Sequence, residues 1–333
     1  MNRFAFLVFA LIVMPTFSTQ AMEKPAFHTQ GTPTGKPTGP LKPGEYWWSP
    51  HLSPSGPVII LVSLPQQIMN VYRNGILIAR STISSGSKNH PTPAGVFTIL
   101  EKNRSHYSKT YDNAPMPNMQ RLTWCGVAFH SGHLPGYAAS HGCIRLPYDF
   151  SNFLFSITQK GGTVVVADGK LPVPYYATDP GLMLSSKDVA LVPKALGKND
   201  YEWNPEASMK GPITILISGP DHTLFVYRNG IRIGRAAVRF NGFGKLGEGV
   251  FTLLDGTSGE ASPWAPNRAG HRWMAMTTNN SGRRINIEAL HKRVRFNPDF
   301  AVKLHDALAP GTVLIITDQA AERKGNGEMT FGR

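Results

Sequence analysis

Two cysteines in 333 residues are too few for a disulfide framework. No apolar run reaches the ~18 residues a spanning helix needs, which excludes a multi-pass membrane protein. Charged residues make up only 17% of the chain, while Gly (33) and Pro (27) are frequent. That balance favours a turn-rich, strand-rich protein over a helical bundle. The 34 Lys and Arg outweigh 21 Asp and Glu, for a formal net charge of +13, yet the positives are dispersed. Without a Lys/Arg block, zinc-finger spacing or RNA-recognition motif, nucleic acid is not an expected partner. A basic exported protein working beside polyanions, such as a cell wall or a membrane surface, fits the charge instead. A hydrophobic content of 41% excludes a wholly disordered chain, and the length suggests about two domains.

The N-terminus reads as an export signal. Asn2-Arg3 gives a short positive start, Phe4 to Met14 is an unbroken apolar run of eleven residues, and Pro15 ends it. Thr19 and Ala21 place small residues where a signal peptidase reads them. Residues 1–21 are therefore expected to be a cleaved signal peptide, leaving a periplasmic protein that is not integral to the membrane. Residues 22–55, rich in Pro, Gly, Thr and Ser, read as an extended linker. Tyr46, Trp47 and Trp48 interrupt it. Docking on the first domain is the plainer reading of these aromatics, and sugar stacking the sharper one.

An internal repeat organises the rest. GPVIILVSLPQQIMNVYRNGILIAR from Gly56 and GPITILISGPDHTLFVYRNGIRIGR from Gly211 share 14 of 25 positions. Each copy reads as two strands around an Asn-Gly hairpin turn, where both turn residues need φ > 0. Further on, Phe150, Phe153, Leu154 and Ile157 have helical spacing, as do Phe300, Leu304, Ala307 and Leu308. Gly161 and Gly311 stop the helices, and Val164-Val165-Val166 and Leu314-Ile315-Ile316 then read as buried strands. The expected fold is mainly β: two homologous sandwich or barrel domains, 56–168 and 211–318, each with a short helix. An inter-domain segment, 169–210, joins them, and a polar tail, 319–333, follows.

The chemistry concentrates in HSGHLPGYAASHGCIR, His130 to Arg145. A cysteine beside a glycine, with histidines nearby, suits thiol catalysis: the thiolate attacks and a histidine takes its proton. Gly142 permits a sharp turn that aims backbone N–H groups at a developing oxyanion. The helix beginning near Asp149 would add its positive end. A buried structural thiol is the plain alternative for Cys143. Zinc is the rival chemistry, with His130, His133, His141 and Cys143 as permitted ligands, but no zincin or deaminase motif accompanies them. Neither a metal nor another cofactor is expected. Cys125, in Trp124-Cys125-Gly126-Val127-Ala128-Phe129, reads as a small buried residue on a strand leading to His130. Oxidation with Cys143 is its sharper alternative.

Ser140-His141-Gly142-Cys143-Ile144-Arg145, with His130 upstream, resembles the active-site signature of the L,D-transpeptidase (YkuD-like) catalytic domain family. Thr92-Pro93-Ala94-Gly95-Val96-Phe97 resembles that family's TP-x-G-x-F segment, and Gly161 to Val164 its closing strand. Arg145 stands where other branches carry Asn. The resemblance implies Cys143 as nucleophile and His130 as general base, oriented through a backbone carbonyl near Ser131. Ser140, His141 and Gly142 would shape the loop, the N–H groups of Gly142 and Cys143 would serve the oxyanion, and Arg145 would support the loop or bind a substrate carboxylate. The implied partners are peptidoglycan stem peptides, and the reaction is acyl transfer through a thioester with release of D-Ala. The acceptor stays open among a second stem (a 3→3 cross-link), water (a carboxypeptidase) and an amine of a wall-attached protein.

In the second copy, at an offset of 150, Asn280, Leu290, His291, Lys292 and Arg293 stand where the first has His130, Ser140, His141, Gly142 and Cys143. Nucleophile and base are both lost, so this copy is expected to be catalytically dead. A non-catalytic wall-binding scaffold is the alternative for the whole chain.

Overall fold

The structure, a computed structural model, describes residues 29–36, 39–168, 196, 200–242, 246–247, 249–275 and 287–318. The expected signal peptide, most of the inter-domain segment, the polar tail and Asn280 lie outside the described residues. In the first half, β1 (Thr32–Pro33), β2 (Glu45–Trp48), β3 (Val58–Ser63), β4 (Ile68–Arg73), β5 (Ile76–Thr82), β6 (Gly95–Thr98), β7 (Glu101–Tyr107), β8 (Pro115–Arg121), β9 (Ala128–Ser131) and β10 (Ile144–Leu146) lead to helix α1 (Tyr148–Ile157) and β11 (Thr163–Ala167). The second half holds β12 (Tyr201–Trp203), β13 (Ile213–Ser218), β14 (Thr223–Arg228), β15 (Ile231–Ala237), β16 (Arg239–Phe240), β17 (Gly249–Ala261), β18 (Ala269–Ala275), α2 (Ile287–Arg293), β19 (Val294–Arg295), α3 (Pro298–Ala307) and β20 (Val313–Thr317).

The protein is mainly β. Seven strands form one sheet in the order β1-β2-β5-β4-β3-β11-β6, and β10-β9-β8-β7 form a second. The second half repeats six positions of the larger sheet as β12-β15-β14-β13-β20-β17, with β18 added at the edge. Both hairpins turn as their sequences require: φ is +47° and +82° at Asn74-Gly75, and +51° and +78° at Asn229-Gly230. An interior strand of each sheet, β11 or β20, runs parallel to the first hairpin strand and antiparallel to the next. Buried on both faces, it reads as a continuous Val/Ile run rather than an alternating one.

In the first half the two sheets and α1 enclose one core, in which Ile60, Val62 and Met69 meet Phe129, Ile144, Leu146 and Phe150. In the second half the smaller sheet, among the described residues, is the two-stranded pair β16-β19. The large sheets pack on each other through Ile59, Val96 and Val165 on one side and Val250, Val313 and Ile315 on the other. This contact has the reciprocity of a two-fold interface. Gly161 abuts Pro212, and Gly311, at the matching place in the second half, abuts Pro57.

Part of the stretch read as a linker is built into the fold. β2 pairs with β5 at the sheet edge, burying Tyr46 and Trp47, while Trp48 stacks on Phe153 with ring centroids 5.4 Å apart. Aromatic burial outweighs the Gly/Pro-rich context, and the docking reading of these residues holds. Ahead of it, the carbonyls of Thr29 and Gln30 accept from the N–H groups of Tyr148 (2.8 Å) and Asp149 (3.0 Å). These satisfy the first amides of α1. At the other end of that helix, Lys102 Nζ donates to the carbonyls of Phe155 and Thr158, both at 2.7 Å. No helix among the described residues is long and apolar enough to cross a membrane.

Candidate active site

The four-stranded sheet sorts its residues by strand alternation. Phe129 on β9 and Ile144 and Leu146 on β10 enter the core, which leaves Ala128, His130 and Arg145 on the outer face. β9 and β10 are parallel, with His130 opposite Arg145. One step before β10, Cys143 falls beside Ala128, whose N–H points at its sulfur. The Cys143 thiol itself lies 3.4 Å from the carbonyl of Gly126 as a donor. Cys143 and His130 therefore lie on the same side of this sheet.

His130 is buried, and its Nδ1 lies 2.7 Å from the carbonyl of Ser131. With Nδ1–H donating there, Nε2 carries the lone pair that can take a proton. Burial lowers the imidazole to about 4, and the nearby charges of Arg145 and His106 push the same way against the hydrogen bond. Burial also raises the Cys143 thiol, partly offset by the Ala128 N–H and by Arg145 and Arg121. At neutral pH these shifts favour a thiol at Cys143 and a neutral imidazole at His130.

A second segment holds the catalytic turn in place. Residues 84–87 run alongside it: Ser84 and Arg145 exchange backbone hydrogen bonds of 3.0 and 2.9 Å, and Ser140 bonds Ser85 and Ser87. Thr92 Oγ1 donates to the carbonyl of Gly142 (2.8 Å) and accepts from the N–H of Gly86 (2.8 Å). Ser140 Oγ donates to the carbonyl of Cys143. Gly142 takes φ +105°, the sharp turn its lack of a side chain permits.

Three expectations need correcting. The N–H of Gly142 donates to Ser140 Oγ at 3.1 Å, so of the two amides assigned to the oxyanion it is Cys143's own that remains. The first amides of α1 are bonded to Thr29 and Gln30 rather than turned to the thiol. Cys125 is exposed, in a turn where Gly126 and Val127 bond back to Thr123, because the strand begins only at Ala128. Both cysteines are free thiols.

Other placements complete the site. Arg145 is half-buried, and among the described residues no acidic side chain pairs with it, whereas Arg121 is paired with Glu101 at 2.8 Å. Exposed His141 sits between the rings of His90 and Tyr111, tilted against both, with ring centroids 4.8 Å apart in each pair. Tyr111 comes from the tip of the β7–β8 hairpin, so this ring cluster ties the hairpin to the catalytic turn. His133 is exposed. Sequence reasoning missed the Ala128 N–H, the Gly126 carbonyl and the His90–His141–Tyr111 cluster. The first two are backbone groups with no residue signature, and the third joins three separate loops.

Residues 57–166 match the model of the L,D-transpeptidase catalytic domain, YkuD. The match covers about a third of the chain and marks this segment as similar to that catalytic domain. L,D-transpeptidase 1 of Mycobacterium tuberculosis (strain ATCC 25618 / H37Rv) is 29% identical over 150 residues, covering 36% of this chain and 59% of the relative. The match thus spans less than two thirds of the curated relative's length. Similar solved structures include an L,D-transpeptidase from Mycobacterium smegmatis, at 24% identity and TM-score 0.31, covering 34% of this chain and 59% of that one. Another, from Stackebrandtia nassauensis, is 26% identical with TM-score 0.31, covering 34% and 55%.

Proposed function

We propose that the first half of the chain is a cysteine-dependent peptidoglycan L,D-transpeptidase acting in the periplasm after export through a cleaved signal peptide. What supports this reading is the placement of Cys143, one step before β10, on the sheet face that carries His130, whose Nδ1 lies on the Ser131 carbonyl and leaves Nε2 to take the thiol proton. As Sγ attacks the carbonyl carbon of the third stem residue, meso-diaminopimelate by family resemblance, the proton passes to Nε2. The oxyanion is met by the N–H of Cys143. An imidazolium in so buried a site is a strong acid, and it returns the proton to the departing D-Ala amine. A thioester remains. An amine of a second stem then gives up a proton to His130 and attacks the thioester, forming a 3→3 cross-link and restoring the thiol.

Arg145, half-buried and paired with no acidic side chain among the described residues, binds a carboxylate of the donor stem in this account. Ser140, His141, Gly142 and Thr92 shape the turn. The second half is a degenerate copy of the same domain. Its counterparts of Ser140 to Cys143, namely Leu290 to Arg293, lie in helix α2 rather than in a turn, and Leu290 is core. Asn280 and Arg293 stand there in place of the base and the thiol.

Incubating the mature chain from Met22 with disaccharide-tetrapeptide muropeptides tests the proposal. Cross-linked 3→3 dimers that vanish in a Cys143→Ala variant support transpeptidation. Tripeptide alone would redirect the reading to an L,D-carboxypeptidase.

A further inference from the structure

The second half contains a cavity of about 190 Å³ between its large sheet and helix α3. Its origin is visible by comparison with the first half. Ile215, Ile217 and Leu224 form its floor, and the matching Ile60, Val62 and Met69 are covered by Phe129, Ile144 and Leu146 of the four-stranded sheet. Among the described residues of the second half, no four-stranded sheet lies over that floor.

The lining is not that of an accidental void. A purely aliphatic hole of roughly 150 Å³ stays dry and favours benzene-like guests. Here an aliphatic floor meets aromatic walls, Trp264, Trp273 and Phe296, and a polar rim of Ser258, Glu260 and Ser262. Trp273 and His271 lie two apart on β18 and share a face. His271 stacks on His305 of α3 with ring centroids 4.3 Å apart, and His305 Nε2 lies 2.9 Å from the carbonyl of Ala269. The histidine pair is thereby fixed in place at the edge of the cavity.

We propose that this cavity is a saccharide site that takes an N-acetylated amino sugar of the glycan strand. A pyranose presents an apolar C–H face to indole rings and equatorial hydroxyls to a polar rim, while its acetyl methyl suits an aliphatic floor. Among the described residues the lining includes neither Lys nor Arg, and Glu260 stands at its rim, a poor match for the carboxylates of a stem peptide. A neutral sugar fits the wall polymer's chemistry better. The inference rests on the proposed wall substrate and extends it: the second half would hold the glycan while the first acts on its stems.

The test is a titration of the full mature chain with chitotetraose, an N-acetylglucosamine oligomer without peptide, followed by calorimetry and tryptophan fluorescence. Saturable binding is expected. It should be retained in Cys143→Ala and weakened at least tenfold in both Ala301→Leu, which fills the cavity from α3, and Trp273→Leu, which removes a stacking wall. The urea midpoint establishes that each variant is folded, and the alkylation rate of Cys143 does so again for Ala301→Leu and Trp273→Leu. Absence of saturable binding by the unaltered chain, or equal binding by the two folded variants, would overturn the site. The enzyme proposal is read separately, from acyl adducts on Cys143: binding without adducts keeps the sugar site and removes the enzyme, and adducts without binding do the reverse.

Discussion

Arg145 stands directly opposite His130 across the parallel pair β9–β10, so a cation paired with no acidic side chain among the described residues shares one sheet face with the imidazole. The guanidinium disfavours protonation of the imidazole and favours the thiolate. It is also placed to meet a substrate carboxylate. Replacing it by Gln should raise KM for the tetrapeptide donor about tenfold or more, the scale of one charge-assisted contact. Alkylation of Cys143 by neutral iodoacetamide should change far less. Equal losses in both assays would mean that Arg145 acts on the thiol alone.

The same burial makes stability depend on pH. His130 titrates at about 4 when folded and near 6.5 when unfolded. The unfolded chain therefore takes up the proton first as pH falls. The stabilisation is complete above about pH 6.5 and is lost toward about pH 4, by roughly 3 kcal/mol. Urea midpoints at pH 7 and 4.5 should differ accordingly in the native chain and differ less in His130→Asn.

The thiol gives the opposite limb. Because burial raises Cys143 above the ordinary thiol value of 9.0, the rate of its reaction with a neutral alkylating reagent should still be climbing at pH 9. A plateau reached by pH 8 would indicate a preformed thiolate–imidazolium pair instead.

Much of this was legible in the sequence, and the exceptions share a cause. The hairpins at Asn74-Gly75 and Asn229-Gly230 were readable because a tight turn depends on its own two residues. Cys143, His130 and the Ser131 carbonyl were readable because a short motif carries them. Trp47 and Trp48 were harder: a strand made by four residues amid prolines depends on an edge of β5 that local composition does not reveal. Cys125 looked like part of a strand because its neighbours are apolar, yet Thr123 closes a turn around it. The N–H of Gly142 was assigned by motif, but the side chain that captures it, Ser140, is decided by geometry.

Thr92 offers a direct check on the support of the catalytic turn. Thr92→Val keeps its shape and removes both hydrogen bonds, to Gly142 and from Gly86. Leaving those backbone groups unmatched should cost about 1–3 kcal/mol. We expect kcat to fall about tenfold while KM and the number of titratable thiols hold. Unchanged kcat would show that residues 84–87 suffice to hold the turn.

The ring cluster at the hairpin tip predicts a change of access. Tyr111→Ala removes one of the two rings flanking His141, untying the β7–β8 tip from the turn. Bulky maleimides should then label Cys143 several-fold faster relative to iodoacetamide, and KM for muropeptides should rise. An unchanged labelling ratio would assign Tyr111 no part in covering the thiol.

The account turns on a thioester at Cys143, and intact-mass spectrometry observes it most directly. The reduced mature chain is mixed with disaccharide-tetrapeptide without added acceptor and quenched in acid within seconds. The prediction is one acyl adduct with the mass of the disaccharide-tripeptide, mapped to Cys143, labile to hydroxylamine and absent from Cys143→Ala. A fully titratable Cys143 that carries no adduct, with D-Ala still attached to every stem, would contradict it.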